Sequence, residues 1–296
     1  MEIKVLTERR KISGTDPFGR KSTLIFWPND KVDTGKERRS AILWKTPEGY
    51  SPKMIGSSLA VCRPRRIALV HGKYSLEVIE HILPLRWFGV LGLTIEGSGW
   101  PPYFGRAWEF YDTVHLSLEE TGQKVPWVTT SSPIAFSHRD VLGGMSAFTP
   151  STHPGLNIKI VINFPGLGKY ELFRSLPEDI FRIKRDMEAY TPGMPHWAYY
   201  PSLLGKSLGV WKHHDEVVWS YTLTPEAALE QFAKHRLIDF LGTLALINPV
   251  RLLAGNVESV YGGHESDLRL VREIQKKSLN IDFTSHRRRR AVAPSL

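Results

Sequence analysis

The chain has 296 residues, 42% of them hydrophobic, with nine tryptophans, which is enough apolar material for one buried core or two smaller ones. A single cysteine, Cys62, excludes an intrachain disulfide framework and points to a reducing, cytoplasmic compartment. The formal charge is +9, but Arg287 to Arg290 supply four of those charges, so the folded part is only mildly basic; no nucleic acid is expected as partner, while a phosphate-bearing substrate or peripheral contact with an anionic membrane surface fits the field.

The opening MEIKVLTERRKI reads as an alternating strand and not as a signal peptide, and the longest apolar run, LGTLALI at 241 to 247, is too short to span a bilayer. KSTLIFWP and SLAVC are strand patterns. YSLEVIEHILPLRWF has helical spacing with Ser75 placed as its cap, and it is the only helix expected in the first half. GVLGLTIEGSGWPP then resumes strand character and ends in Gly and Pro breakers.

In the second half GLNIKIVINFPG alternates at Ile158, Ile160, Ile162 and Phe164, a half-buried strand. SLPEDIFRIKRDMEAY follows as a helix, with Ser175, Pro177 and Glu178 in a capping-box arrangement. The aromatic-rich stretch from His196 to Tyr221 reads as a loop or insertion with a hairpin near residues 212 to 216. A long helix runs from about Pro225 to Ile247, then a strand in AGNVESVY, then a last helix from GGHESDL. The fold class is α+β: two similar domains, 1–125 and 126–282, each a small, mostly antiparallel sheet packed on helices, followed by a basic tail at 283–296 expected to be disordered.

The long helix carries AKHRLIDFLG. One face holds Ala233, Leu237, Leu241 and Leu244; the other holds Ala228, Phe232, His235, Asp239, Gly242 and Leu246. A polar pair inside an apolar stripe needs a partner. His235 and Asp239 either satisfy each other as an i,i+4 pair or aim an imidazole nitrogen and a carboxylate oxygen at one metal ion. His81 is the best third ligand, because Glu80 beside it is placed to take a proton from a metal-activated water. Pro84 removes the backbone donor for the Glu80 carbonyl and predicts a kink. His264, after Gly262 and Gly263, opens a helix at its anion-favouring end.

Three motifs in this order, IEHIL, KHRLIDFLGTLALI and GGHESDLRLVREI, resemble the zinc-dependent UDP-3-O-acyl-N-acetylglucosamine deacetylases of lipid A biosynthesis. The stretches ERRKISGTDPFGRKSTLIFWP and LTIEGSGWPPYFGRAWEF share the family's rhythm, so the resemblance covers nearly the whole chain. It implies zinc, with Fe2+ as the alternative, on His81, His235 and Asp239, between two similar domains. It implies Glu80 as general base, His264 as general acid and oxyanion-stabilising group, and Thr191 in EAYTPGMPH as an assistant at the oxyanion.

The resemblance also implies a monomer acting on an acylated UDP-amino sugar. Arg236 would stand near the diphosphate, and Tyr199, Leu203 and Leu204 would line an acyl passage within an insertion at 191–217. The chain departs from the family pattern at Phe18, where the family has histidine, at Arg236 for lysine, and at YFGR, residues 103 to 106. At Thr243 the family has the aspartate that orients the late histidine. These departures leave open a relative with a different amide substrate, or one that has become a non-catalytic binding module; the arginine-rich tail could separately serve as a nucleic-acid or anionic-lipid anchor.

Overall fold

The computed structural model describes residues 1–31, 41–48, 51–102, 106–138, 143–164, 167–188, 193–194, 199–209, 218–219 and 223–281. It is a mixed α/β structure built from small, mostly antiparallel sheets. The largest two have five strands each. In the first sheet these are β1 (Arg10–Thr15), β2 (Lys21–Pro28), β3 (Ile42–Lys45), β4 (Lys53–Met54) and β5 (Leu93–Glu96). In the second they are β6 (Ile134–Ser137), β7 (Met145–Pro150), β8 (Leu156–Phe164), β9 (Gly168–Leu176) and β10 (Gly255–Val260).

The two sheets have the same connectivity. The first is ordered β1-β2-β5-β3-β4 and the second β6-β7-β10-β8-β9. In each, the last strand inserts between two hairpins, antiparallel to one (β2 or β7) and parallel to the other (β3 or β8). The segment joining the two halves pairs both ways: Leu118–Lys124 runs antiparallel to Glu2–Leu6, and Trp127–Thr130 antiparallel to Ser278–Ile281.

One contiguous apolar core takes residues from both sheets, including Leu24, Phe26 and Trp44 from the first and Phe148, Leu156 and Ile160 from the second. Through its centre runs α5 (Pro225–Leu244). Thr224 caps this helix by accepting the Ala227 N–H at 3.3 Å, and Pro225 fills the first turn, where no backbone donor is needed. Every residue from Arg236 to Leu244 is buried, so the second half of α5 is enclosed on all sides. Ala233, Leu237, Leu241 and Leu244 form the expected core stripe.

The helix expected around residues 75–89 is broken up. Ser75 lies in the third strand of a meander, Ala60–Arg63, Arg66–His71 and Tyr74–Leu76, and its hydroxyl donates to the Glu77 carboxylate at 2.8 Å instead of capping. The chain turns at Val78, in the left-handed region at φ 48° and ψ 44°, a conformation that β-branched residues avoid. Only then comes α1 (Ile79–Ile82), a single turn that passes into a 3-10 helix at Leu83–Phe88. Pro84 explains the change, since it has no N–H to continue the α-helical ladder.

The first half holds a second helix, α2 (Ala107–His115), which the strand reading of that region overlooked. In the second half α3 (Ile180–Glu188) starts later than expected. Ser175 belongs to β9, and Asp179 closes the turn by accepting the Ser175 N–H at 2.9 Å, so no capping box forms at Ser175. A further helix, α4 (Tyr199–Ser207), stands in the aromatic-rich stretch, and α6 (His264–Lys276) follows β10. The hairpin expected near 212–216, residues 103–105 of the YFGR turn and the tail at 283–296 lie outside the described residues. No helix among the described residues is long and apolar enough to cross a membrane.

Candidate metal centre

Three helices bring the site together. The single turn α1 presents Glu80 and His81, α5 presents His235 and Asp239, and the first residue of α6 is His264. His81 and Asp239 are buried, and His235 and His264 keep 26% and 15% of their side chains exposed, so the opening of the site lies on their side.

His81 Nε2 lies 3.0 Å from Asp239 Oδ1, and His235 Nε2 lies 3.4 Å from Asp239 Oδ2. One nitrogen of each imidazole and one Asp239 oxygen fall within 4.8 Å of one another. Ligands held at about 2 Å from a tetrahedral zinc stand roughly 3.3 Å apart, so the two nitrogen–oxygen distances are of ligand–ligand size, and the three donors together must draw in to share one cation. The two imidazole rings meet edge to face, 5.8 Å between centroids. Of the two local readings of His235 and Asp239, an ion pair or a metal clamp, the geometry satisfies both; His81 adds the third donor that the clamp requires.

Protonation states suit cation binding. Burial pushes the His235 imidazolium down to about 4, so the neutral, ligating form prevails at neutral pH. Burial works against the Asp239 carboxylate too, but the imidazoles of His235, His81 and His264 around it outweigh that, and its pKa falls below the usual aspartate range. With His81 the set offers two imidazole nitrogens and one carboxylate oxygen, donors of the kind that bind divalent transition metals.

Glu80 is fully buried, and both its carboxylate oxygens accept the N–H of Ile67, at 3.0 and 3.1 Å. Burial raises its pKa above the usual glutamate value, partly offset by His264 and His81. His264 Nε2 stands 3.9 Å from both Glu80 Oε1 and Asp239 Oδ2, facing base and ligand set together. Its Nδ1 is buried without a hydrogen-bond partner among the described residues. Thr243 does not reach it: the Thr243 hydroxyl donates to the Asp239 carbonyl one turn back in the same helix, at 2.8 Å.

Arg236 is bonded within the fold. Its guanidinium makes a bidentate pair with Asp267 at 2.5 Å on each arm, and it also donates to Ser259 Oγ at 3.0 Å and the Gly262 carbonyl at 3.1 Å. It thereby ties α5 to the start of α6. Tyr199, Leu203 and Leu204 share α4, with Leu204 61% exposed and Leu203 half-buried. Thr191 lies outside the described residues.

Two supporting features escaped the sequence reading. Gly242 presses on the backbone of Glu80, where an added β-carbon would lie 1.8 Å from the Glu80 carbonyl oxygen. That carbonyl is the one Pro84 leaves without a helical donor, and the small residue one turn beyond Asp239 on the same face was the available signal. The Ile67 N–H that holds Glu80 had no signal, because it comes from a different strand. The chain matches no known protein-family model and no curated protein.

Proposed function

We propose that this protein is a metal-dependent amide hydrolase that removes the N-acetyl group from an acylated UDP-N-acetylglucosamine in lipid A biosynthesis. The observation that carries the proposal is the convergence of His81, His235 and Asp239 with Glu80 and His264 around one buried point. It agrees with the motif order that resembles the UDP-3-O-acyl-N-acetylglucosamine deacetylases. In this reading the two sheets of like topology mark two similar domains, 1–125 and 126–282, with the site between them. The enzyme is a cytoplasmic monomer that takes an acylated UDP-amino sugar and makes peripheral contact with an anionic membrane surface.

A divalent ion on His81, His235 and Asp239, Zn2+ or alternatively Fe2+, would polarise an amide carbonyl and acidify a water. Glu80, held in place by the Ile67 N–H, would take a proton from the attacking water as it adds to the acetamide carbon. His264, on the open side of the site, donates toward the developing oxyanion and then protonates the departing amine, so that the C–N bond breaks to give acetate and a free amino sugar. Thr191 would assist at the oxyanion, and Tyr199, Leu203 and Leu204 on α4 would meet the acyl chain.

One observation favours a second reading. With Thr243 turned to its own helix, His264 Nδ1 has no partner among the described residues, where the family resemblance implies an orienting carboxylate. A relative with weakened catalysis, or one that binds without turnover, follows from that. Incubating zinc-loaded protein with UDP-3-O-acyl-N-acetylglucosamine and following acetate release separates the two. Release proportional to bound zinc supports the hydrolase; bound zinc without turnover on any acylated UDP-N-acetylhexosamine selects the binding module.

A further inference from the structure

Arg86 is 2% exposed, yet no acidic side chain among the described residues pairs with it. Burial alone pulls its pKa down to about 9, far below the usual arginine range, and its Nε has no hydrogen-bond partner. A buried charge without a counter-ion is costly, so its contacts should show what it is kept for.

Those contacts lie at the end of α5 and in the segment that follows it. One arm of the guanidinium donates to the Ala245 carbonyl, in the residue that closes α5, and the other to the Arg251 carbonyl at 2.8 Å. Carbonyls at a helix C-terminus lack intrahelical donors and carry partial negative charge, so a cation there satisfies both deficits. The neighbouring Trp87 is fully buried and donates its indole N–H to the Leu241 carbonyl at 2.8 Å. Next to Leu241, Gly242 seats on the Glu80 backbone.

These contacts form a seam. On one side runs the continuous segment Glu80, His81, Arg86, Trp87; on the other runs the C-terminal half of α5, which carries Asp239 and ends where Arg86 grips it. His81 comes from the first side and His235 and Asp239 from the second, so the seam sets the distance between the two parts of the donor set. We propose that Arg86, seconded by Trp87, is the positioning residue of the metal centre, fixing His81 against Asp239 and thereby setting the affinity for the cation. This rests on the reading of His81, His235 and Asp239 as metal ligands, though not on any substrate or on turnover.

The test is a Co2+ titration of full-length, metal-stripped protein, read by the visible absorption of the bound ion and followed by Zn2+ competition. The panel is the unsubstituted protein, Arg86→Met, Arg86→Lys, Trp87→Phe and a remote core truncation, Phe26→Leu in β2. Arg86→Met should weaken Co2+ binding by about tenfold or more, the order seen when groups that support ligands are removed, with the Co2+ spectrum altered. Arg86→Lys and Trp87→Phe should lose less, and Phe26→Leu should lower the melting temperature while keeping the affinity within about threefold.

Wild-type affinity in a folded Arg86→Met protein overturns the clamp, as does a loss in Phe26→Leu equal to that in the seam variants. If Arg86→Met does not fold, Trp87→Phe decides: an unchanged affinity and spectrum there overturn the proposal. Failure of the unsubstituted protein to bind Co2+ or Zn2+ is a distinct result, which removes the metal reading and the clamp with it.

Discussion

Gly242 on α5 and Glu80 on α1 are in backbone contact, with no room between them for a methyl group: a β-carbon at Gly242 would stand 1.8 Å from the Glu80 oxygen and 2.5 Å from its carbonyl carbon. Because the obstacle is main chain in a buried turn, it cannot swing aside as a side chain would. Gly242→Ala should therefore cost about 1–3 kcal/mol of stability through overpacking, despite alanine's higher helix propensity. It should also weaken metal binding, since α1 must retreat from α5. Urea denaturation of metal-free protein checks the first effect and Co2+ titration the second.

Arg236 and Asp267 form a fully enclosed pair in which both guanidinium arms are used. Removing one partner leaves the other charge buried and unmatched, so Asp267→Asn should destabilise by about 3–5 kcal/mol. Affinity for UDP, measured by calorimetry on folded protein, should be unchanged by Arg236→Lys if the guanidinium serves only this internal bond. A substantial loss of UDP affinity would return Arg236 to the role its place in the motif suggested.

Thr243 stands where the family resemblance implies an aspartate, but its hydroxyl is spent on the Asp239 carbonyl. Thr243→Val deletes that local bond and leaves His264 untouched. The expected result is a change of under about 1.5 kcal/mol in stability and of less than about threefold in acetate release. A larger drop in kcat would mean that the threonine hydroxyl does reach the late histidine during turnover.

Stability of the metal-free protein should fall with acid between about pH 6.5 and 4. In that window His235 is neutral when folded, with its pKa pushed down to about 4, while an exposed histidine in the unfolded chain is protonated. The unfolded state binds the extra proton, so unfolding becomes easier as pH drops. The loss should amount to about 2 kcal/mol, and His235→Asn should remove most of this slope. Denaturant titrations at several pH values read both.

Much of this architecture was legible because it is written locally. Alternation at Ile158, Ile160 and Ile162 marks β8, and the apolar period from Ala233 to Leu244 marks α5. The pairs Glu80–His81 and His235–Asp239 are likewise defined by short spacings, and the cluster they form with His264 follows once the helices are placed. What was missed depended on distant partners or on weak local signals. α2 begins at Ala107, after Arg106 with no side-chain cap, and its Trp108, Phe110 and Tyr111 read as strand formers until they pack. Ser75 looked like a cap, but sheet pairing with Val70 claimed it. The Arg236–Asp267 pair had no local signal, because its two members lie 31 residues apart. Arg86 likewise gave no sign that it would be buried against the end of α5.

The most direct measurement is the initial rate of acetate release from UDP-3-O-acyl-N-acetylglucosamine at increasing equivalents of Zn2+, for the unsubstituted protein and for Glu80→Gln. The account predicts a rate that saturates at one zinc per chain. Glu80→Gln should keep the zinc and lose about 10²–10⁴-fold in rate, because it removes the proton acceptor and none of the three ligands. No acetate at one equivalent of bound zinc, or equal rates in the two proteins, would contradict it.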